Sequence, residues 1–202
     1  MFKTSIMFYL FFNLFTYFML YIQRRAKILS LKPIPKHIRF LIPLTQFNLV
    51  SMIYITNFYL ERYCTIKLES SLNIIKKLGI CVAVGQVWFY FIHILLHKFY
   101  YKKIHSIHHK WVNPDPRSTL YCHPVENILC NVGSLILPIM TANTSQKLSL
   151  LWCFITSVMS ILSHSGSIRG KINSHEYHHK FVNKNFGSGK IMDIVFNTNK
   201  KM

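Results

Sequence analysis

The sequence predicts an all-α, polytopic membrane protein. It should have about four to five apolar helices and a histidine-rich helical cap on their cytosolic side. Three observations predict this. Of the 202 residues, 51% are hydrophobic and only 15% are charged, whereas roughly a quarter are charged in a soluble domain. The apolar residues gather in runs that approach or reach the ~20 needed to cross a bilayer. Ten of the eleven histidines fall between residues 93 and 179, at and beyond the ends of those runs.

Residues 5–22, SIMFYLFFNLFTYFMLYI, form the first run. QRRAK follows instead of the small residues of a cleavage site, so the run reads as a retained anchor and not a signal peptide. Residues 40–60 form a second, more polar span with Pro43 near one end. Residues 78–96, LGICVAVGQVWFYFIHILL, form a third that runs directly into the histidines. Residues 128–140 are short for a span. With 148–162 and the tight TANTSQK link they read as a helical hairpin that either crosses twice or dips in and returns. Residues 1–77 then form the anchor helices and loops, and 78–202 the region that carries the chemistry.

The formal charge of +18 raises the question of nucleic acid. A nucleic-acid binder gathers its basic residues on one face or arm. Here they flank apolar runs: Arg24, Arg25 and Lys27, then Lys76 and Lys77, then Lys102 and Lys103. That is the charge pattern of membrane segments, and no nucleic-acid partner is expected. Loop 23–39 holds six basic and no acidic residues, which places it in the cytosol. Loop 61–77 offsets its basic residues with Glu61 and Glu69. Alternating crossings put the N-terminus outside and the end of the third span in the cytosol, and the hairpin returns the chain there at His164. The five cysteines (Cys64, Cys81, Cys122, Cys130, Cys153) form no C-x-x-C pair and read as small apolar residues, not as a disulfide framework or zinc site.

The histidines have a pattern of their own. His93 and His97 are four apart; His105, His108 and His109 are spaced 0, 3, 4; His175, His178 and His179 repeat that spacing. His123 stands in YCHPVEN and His164 in SHSG. Residues three and four apart share a helix face, so each triplet should present two or three imidazoles toward one point. Neutral imidazole suits zinc, copper, iron and nickel. A structural zinc site closes with four ligands, too few for this set. No G-x-S-x-G or phosphate loop is present, and six acidic residues are too few for paired acid–base work. A histidine-rich dimetal centre at a membrane face suits oxygen activation on lipids that cannot leave the bilayer. A metal transporter is the competing non-enzyme reading, but transporters place their ligands near the bilayer midplane. Here only His93 lies inside an apolar run.

In these residues the chain resembles the integral-membrane fatty acid hydroxylase superfamily, which includes methylsterol oxidases, sterol desaturases and sterol hydroxylases. The order H-x-x-x-H, H-x-x-H-H, H-P-x-E, H-S-G, H-x-x-H-H matches HILLH, HSIHH, HPVE, HSG and HEYHH, and NFGSGKIMD is similar to the family's Asn-aromatic-Gly and Asp tail. The resemblance covers about residues 80–198, and the H-S-G element leans toward the methylsterol oxidase and sterol hydroxylase branches. It implies a catalytic region over 78–202 with a non-haem diiron centre, O2 as oxidant, and electrons from NAD(P)H through a cytochrome b5-type carrier. The substrate would be a sterol-like lipid in the bilayer, or alternatively a fatty acyl chain or ceramide, and the compartment the endoplasmic reticulum. By position, His93, His97, His105, His108, His109, His164, His175, His178 and His179 would be iron ligands. His123 either ligates or orients Glu126 or its loop. Glu126, Glu176 and Asp193 are available to fix ligand imidazoles. Lys98, Lys102, Lys103 and Lys110 either sit near anionic headgroups or form a docking surface for the electron carrier. The chain departs from the family at Gln86 (commonly an acid), Ile94 (often Arg), Met192 (usually Trp) and Asn197 (usually Gly).

Overall fold

The structure, a computed structural model, describes residues 2–25, 41–165 and 174–200. These residues are helical, with no strand among them. Four stretches are long and apolar enough to cross a membrane: Lys3–Arg25, Ser71–Phe99, Pro124–Ala142 and Gln146–Ser163. The first lies within helix α1 (Phe2–Arg25). The second is α3 (Ser71–Phe99), whose N-terminus is capped by the Ser70 side chain. The third runs through α5 (Pro124–Glu126), a π-helical turn (Asn127–Val132) and α6 (Gly133–Ala142). The fourth is α7 (Gln146–Ser163).

Helix α2 (Leu41–Tyr63) covers the second expected span without a break, but it is too polar to stand with those four. Its polar side chains bond to other parts of the fold. Asn48, fully buried, donates to the carbonyls of Leu120 and Cys122, both at 2.9 Å, and its own carbonyl accepts from Asn127. Gln46 donates to Asn13 of α1, and Asn57 donates to Ser5. Each of these amide nitrogens finds an acceptor, which offsets part of the cost of burying it, while Asn48 Oδ1 and Gln46 Oε1 have no hydrogen-bond partner.

These bonds also orient the bundle. Asn57 near the end of α2 meets Ser5 near the start of α1, so the two helices run antiparallel. The link between α6 and α7 meets the α2–α3 loop. Lys77 donates to the Asn143 carbonyl (2.6 Å), Ser145 N–H to Glu69 (2.7 Å), and Gln146 N–H to the Thr65 carbonyl (2.8 Å). The two arms of the hairpin expected over 128–162 are each long and apolar enough to cross a membrane, and their link lies at the end of the bundle where α3 begins. Arg24 and Arg25, the start of α2, the end of α3 and the end of α7 gather at the opposite end, where the histidines are. The remainder of the basic loop 23–39, and Gly166 of the H-S-G element, lie outside the described residues.

At 29 residues α3 is about 44 Å long by the 1.5 Å rise per residue. That exceeds a ~30 Å hydrocarbon core, so its last turns, with His93 and His97, reach the interface. A π turn (Tyr101–His105) and α4 (Ser106–His109) follow it. Helix α8 (Ser174–Phe181) and the short α9 (Lys190–Val195) complete the cap. Tyr90 of α3, almost fully buried, stacks on Phe196 and ties the C-terminal segment to the bundle.

Candidate metal centre

Nine imidazoles meet in the cap in two groups. His93, His97, His105, His109 and His178 form the first, and His108, His164, His175 and His179 the second; within each, one nitrogen per ring lies within 4.8 Å of all the others. The triplets do not each converge on one point. Each gives its i, i+4 pair to one group and its middle histidine to the other: His105 and His109 with His178, against His175 and His179 with His108. The cause is helical geometry. Residues four apart stack on one face, and the residue before the second of them points about 100° away. The π turn at Tyr101–His105, marked by the His105 N–H bond to the Tyr100 carbonyl, sets the phase of the first triplet against α3. Such turns often mark functional sites.

The rings are fixed from behind. His93 Nδ1–H donates to the Phe186 carbonyl (2.6 Å), His178 to Lys184 (2.7 Å), His179 to Trp111 (2.9 Å), His164 to Ser160 (2.9 Å) and His108 to Tyr121 (3.1 Å). His105 Nδ1 lies 2.9 Å from the Glu126 carboxylate. A carbonyl only accepts, so the Nδ1 atoms of His93, His108, His164, His178 and His179 carry the proton and their Nε2 atoms present bare lone pairs.

This donor set fits metal ions. His93 Nε2 and His105 Nε2 stand 3.0 Å apart, and with its Nδ1 protonated His93 presents a bare lone pair there. Further Nε2 pairs lie at 2.9–3.2 Å: His97 with His178, His109 with His105 and with His178, and His164 with His175. Two imidazoles bound at right angles at ~2.1 Å from one ion stand about 3 Å apart. A cation between them turns lone-pair repulsion into coordination.

Burial keeps the rings neutral. It holds His108 and His178 at about 4 and His164 at about 3. Burial, reinforced by neighbouring imidazoles, holds His105, His109, His175 and His179 well below the ordinary imidazole range. Neutral imidazole is the metal-binding form.

His123 belongs to neither group. Its Nδ1 accepts the Val125 N–H at 3.1 Å and caps α5, the segment that carries Glu126. Glu176 touches no imidazole; burial raises its carboxyl, and its Oε2 has no hydrogen-bond partner.

Asp193 acts at one remove, a role that sequence spacing does not signal. It accepts from Phe186 N–H (2.7 Å), Gly187 N–H (3.0 Å) and the Thr198 hydroxyl (2.7 Å). It thereby holds the loop whose Lys184 and Phe186 carbonyls orient His178 and His93. Gly187 is required there, because an added Cβ would lie 2.9 Å from Asp193 Oδ2 and collide with the Gly189 carbonyl. Asn197 has a left-handed backbone (φ 53°), which asparagine adopts more readily than most residues. The Gly-to-Asn departure therefore preserves the turn.

A cavity of about 460 Å³ descends from the histidines between α3, α6 and α7. His93, His105, His108, His164 and His175 line its upper end, and Leu135 and Met52 are among its apolar walls.

Membrane helices that carry two imidazole cages at one end define a histidine-motif membrane protein. The fatty acid hydroxylase family model matches residues 78–198, and the chain belongs to that family. It is 30% identical over 126 residues to fatty acid hydroxylase domain-containing protein 2 of Macaca fascicularis, covering 60% of this chain and 38% of that one. It is 29% identical over 174 residues to the fatty acid hydroxylase ahd1 of Mycosarcoma maydis, covering 79% and 45%. To the C-4 methylsterol oxidase erg25 of Schizosaccharomyces pombe it is 29% identical over 132 residues, covering 57% and 44%. The chain thus spans less than half the length of these relatives. No solved structure matches it.

Proposed function

We propose that the chain is a membrane non-haem diiron oxygenase that hydroxylates or desaturates a sterol-like lipid. One observation carries this reading: nine imidazoles, eight of them buried, form two groups that open on one cavity among membrane helices. His93, His97, His105, His109 and His178 would hold one iron, and His108, His164, His175 and His179 the other. Together the irons would activate O2 for attack on an unactivated C–H bond.

The protein's own residues supply the rest. The carbonyls of Phe186, Lys184, Trp111, Ser160 and Tyr121 keep the Nε2 atoms of His93, His178, His179, His164 and His108 aimed inward, and Glu126 stands behind His105. The cavity admits a lipid from the bilayer, and its volume lies in the range of ligand pockets generally. Lys98, Lys102, Lys103 and Lys110 are exposed beside the cap and suit an acidic cytochrome b5-type donor that relays electrons from NAD(P)H. Arg24 and Arg25 lie at the histidine end, which supports a cytosolic cap, in a membrane that the family resemblance implies is that of the endoplasmic reticulum. A fatty acyl chain or ceramide is the second reading, favoured by the match to the Mycosarcoma fatty acid hydroxylase over 79% of the chain.

The test is lipid profiling of a heterologous host. The wild-type chain should produce an oxidised lipid, and a variant with both His108→Ala and His178→Ala should not. Equal product from that double variant would overturn the assignment, and product confined to acyl chains would select the second reading.

A further inference from the structure

The C-terminal segment descends along α3 and climbs back. Phe186 meets α3 at His93, whose Nδ1–H donates to its carbonyl (2.6 Å). Gly189 meets it lower down at Gln86, since an added Cβ there would lie 3.4 Å from Gln86 Oε1. Helix α9 follows. After it, Phe196 stacks on Tyr90 (ring centroids 5.2 Å apart) and meets Phe91 edge-on (5.4 Å), and the Thr198 and Tyr90 hydroxyls stand 3.0 Å apart. The Gln86–Phe91 stretch ends well before Phe99, the last residue of α3, and lies about 12–20 Å down the axis from it. It belongs to a helix long and apolar enough to cross a membrane. A short cap helix therefore starts and ends beside a membrane span.

The two faces of α9 differ. Asp193 points inward, where its carboxylate accepts from Phe186 and Gly187 N–H. Ile191, Ile194 and Val195 stand at i, i+3 and i+4 and share the opposite face. They are 62%, 62% and 67% exposed, and Phe196 just beyond them is 47% exposed. None of the four lines the cavity, so this apolar surface points out of the molecule. It continues the outward face of α3, where Val87, Phe91 and Leu95 are also exposed and Phe91 touches Phe196. Ser188 and Gly189, directly before α9, do line the cavity.

We propose that α9 is immersed in the bilayer, with its outer face against the acyl chains of the leaflet on the histidine side. The segment then forms a wall with membrane lipid on one side and the cavity on the other. Level and chemistry both select lipid as the partner. The side chains of Ile191, Ile194, Val195 and Phe196 offer water no polar group, and an apolar patch of this kind marks an interaction surface. The patch is continuous with the face that α3 itself turns to the bilayer. Helices that lie in a membrane interface bury such a face about 5–10 Å deep. Lys190, exposed at the start of α9, is compatible with this position, because a lysine stem lies along apolar surface while its ammonium reaches the headgroups. The inference rests on α3 as a membrane span and is independent of the oxygenase reading.

The test is tryptophan emission from the full chain reconstituted in phosphatidylcholine vesicles. Ile191→Trp and Ile194→Trp are made singly, and the emission of the three native tryptophans is subtracted using the wild type. Both positions are exposed, so neither substitution disturbs the packing. In vesicles whose lipid is brominated along the acyl chains, the added emission should fall at least about twofold, and acrylamide in the water should quench it several-fold less than in the denatured variants. Added emission that acrylamide quenches freely and brominated lipid leaves unchanged puts α9 in water and overturns the proposal. Emission that neither quencher reaches means that a second copy of the chain covers this face, which overturns it as well.

Discussion

Glu126 Oε1 stands 2.9 Å from His105 Nδ1, with the two side chains only 6% and 1% exposed. The acid stands behind an imidazole of the five-histidine group, where acids behind metal ligands commonly sit. Losing such a partner typically lowers metal affinity 10–100-fold. Glu126→Ala should therefore weaken metal retention by about that factor in a chelator competition, and Glu126→Gln, which keeps an acceptor oxygen, by less. Unchanged retention in Glu126→Ala would contradict the role.

Asp193 shapes the same group through the 184–187 loop. Each bond to its carboxylate contributes about 1.5–3 kcal/mol, so Asp193→Ala should lower the unfolding free energy by at least about 2 kcal/mol. Metal bound by His93 and His178 should be lost before metal bound by the four-histidine group. A stable variant with full metal content would refute this.

Helical periodicity makes much of this site legible in the sequence. The pairs His93/His97, His105/His109 and His175/His179 follow from spacing alone, and so does the end of the bundle they occupy. The division of each triplet between two groups is not legible, because it depends on how α4 and α8 face each other and on a π turn that no residue pattern announces. Asp193 can be singled out as an acid, but its contacts run through backbone N–H groups that are identical in every sequence. The polarity of α2 blurs its reading as a span, since Asn48 is there to hold the 120–122 loop.

Stability should depend on pH through the neutral histidines. Stripped of metal, the folded chain keeps His108 and His178 at about 4 and His164 at about 3, below the ~6.5 of an unfolded chain. Between those values the unfolded chain binds more protons, so stability falls as pH drops from about 6.5 toward 4, by up to about 1.4 kcal/mol per pH unit for each group. These groups contribute no slope above about pH 7.5. Unfolding midpoints of the chelator-treated chain at pH 8, 6 and 5 should fall in that order. A constant or rising midpoint would contradict the burial of neutral rings.

The exposed lysines give a kinetic prediction. A Lys102→Glu, Lys103→Glu variant should slow reduction by a cytochrome b5-type donor several-fold at low salt, with metal content unchanged, because charge on such a surface acts mainly on association rate. Equal rates would assign these lysines to lipid headgroups instead.

Metal stoichiometry of the purified full chain tests the central claim most directly. Two ions per chain are expected in the wild type. One should remain in His93→Ala, which breaks only the five-histidine group, and one in His175→Ala, which breaks only the four-histidine group. His123→Ala should keep both, since that residue caps α5. A wild type that binds no metal, or a His123→Ala variant that loses it while His93→Ala and His175→Ala retain both ions, would contradict the two-cage account.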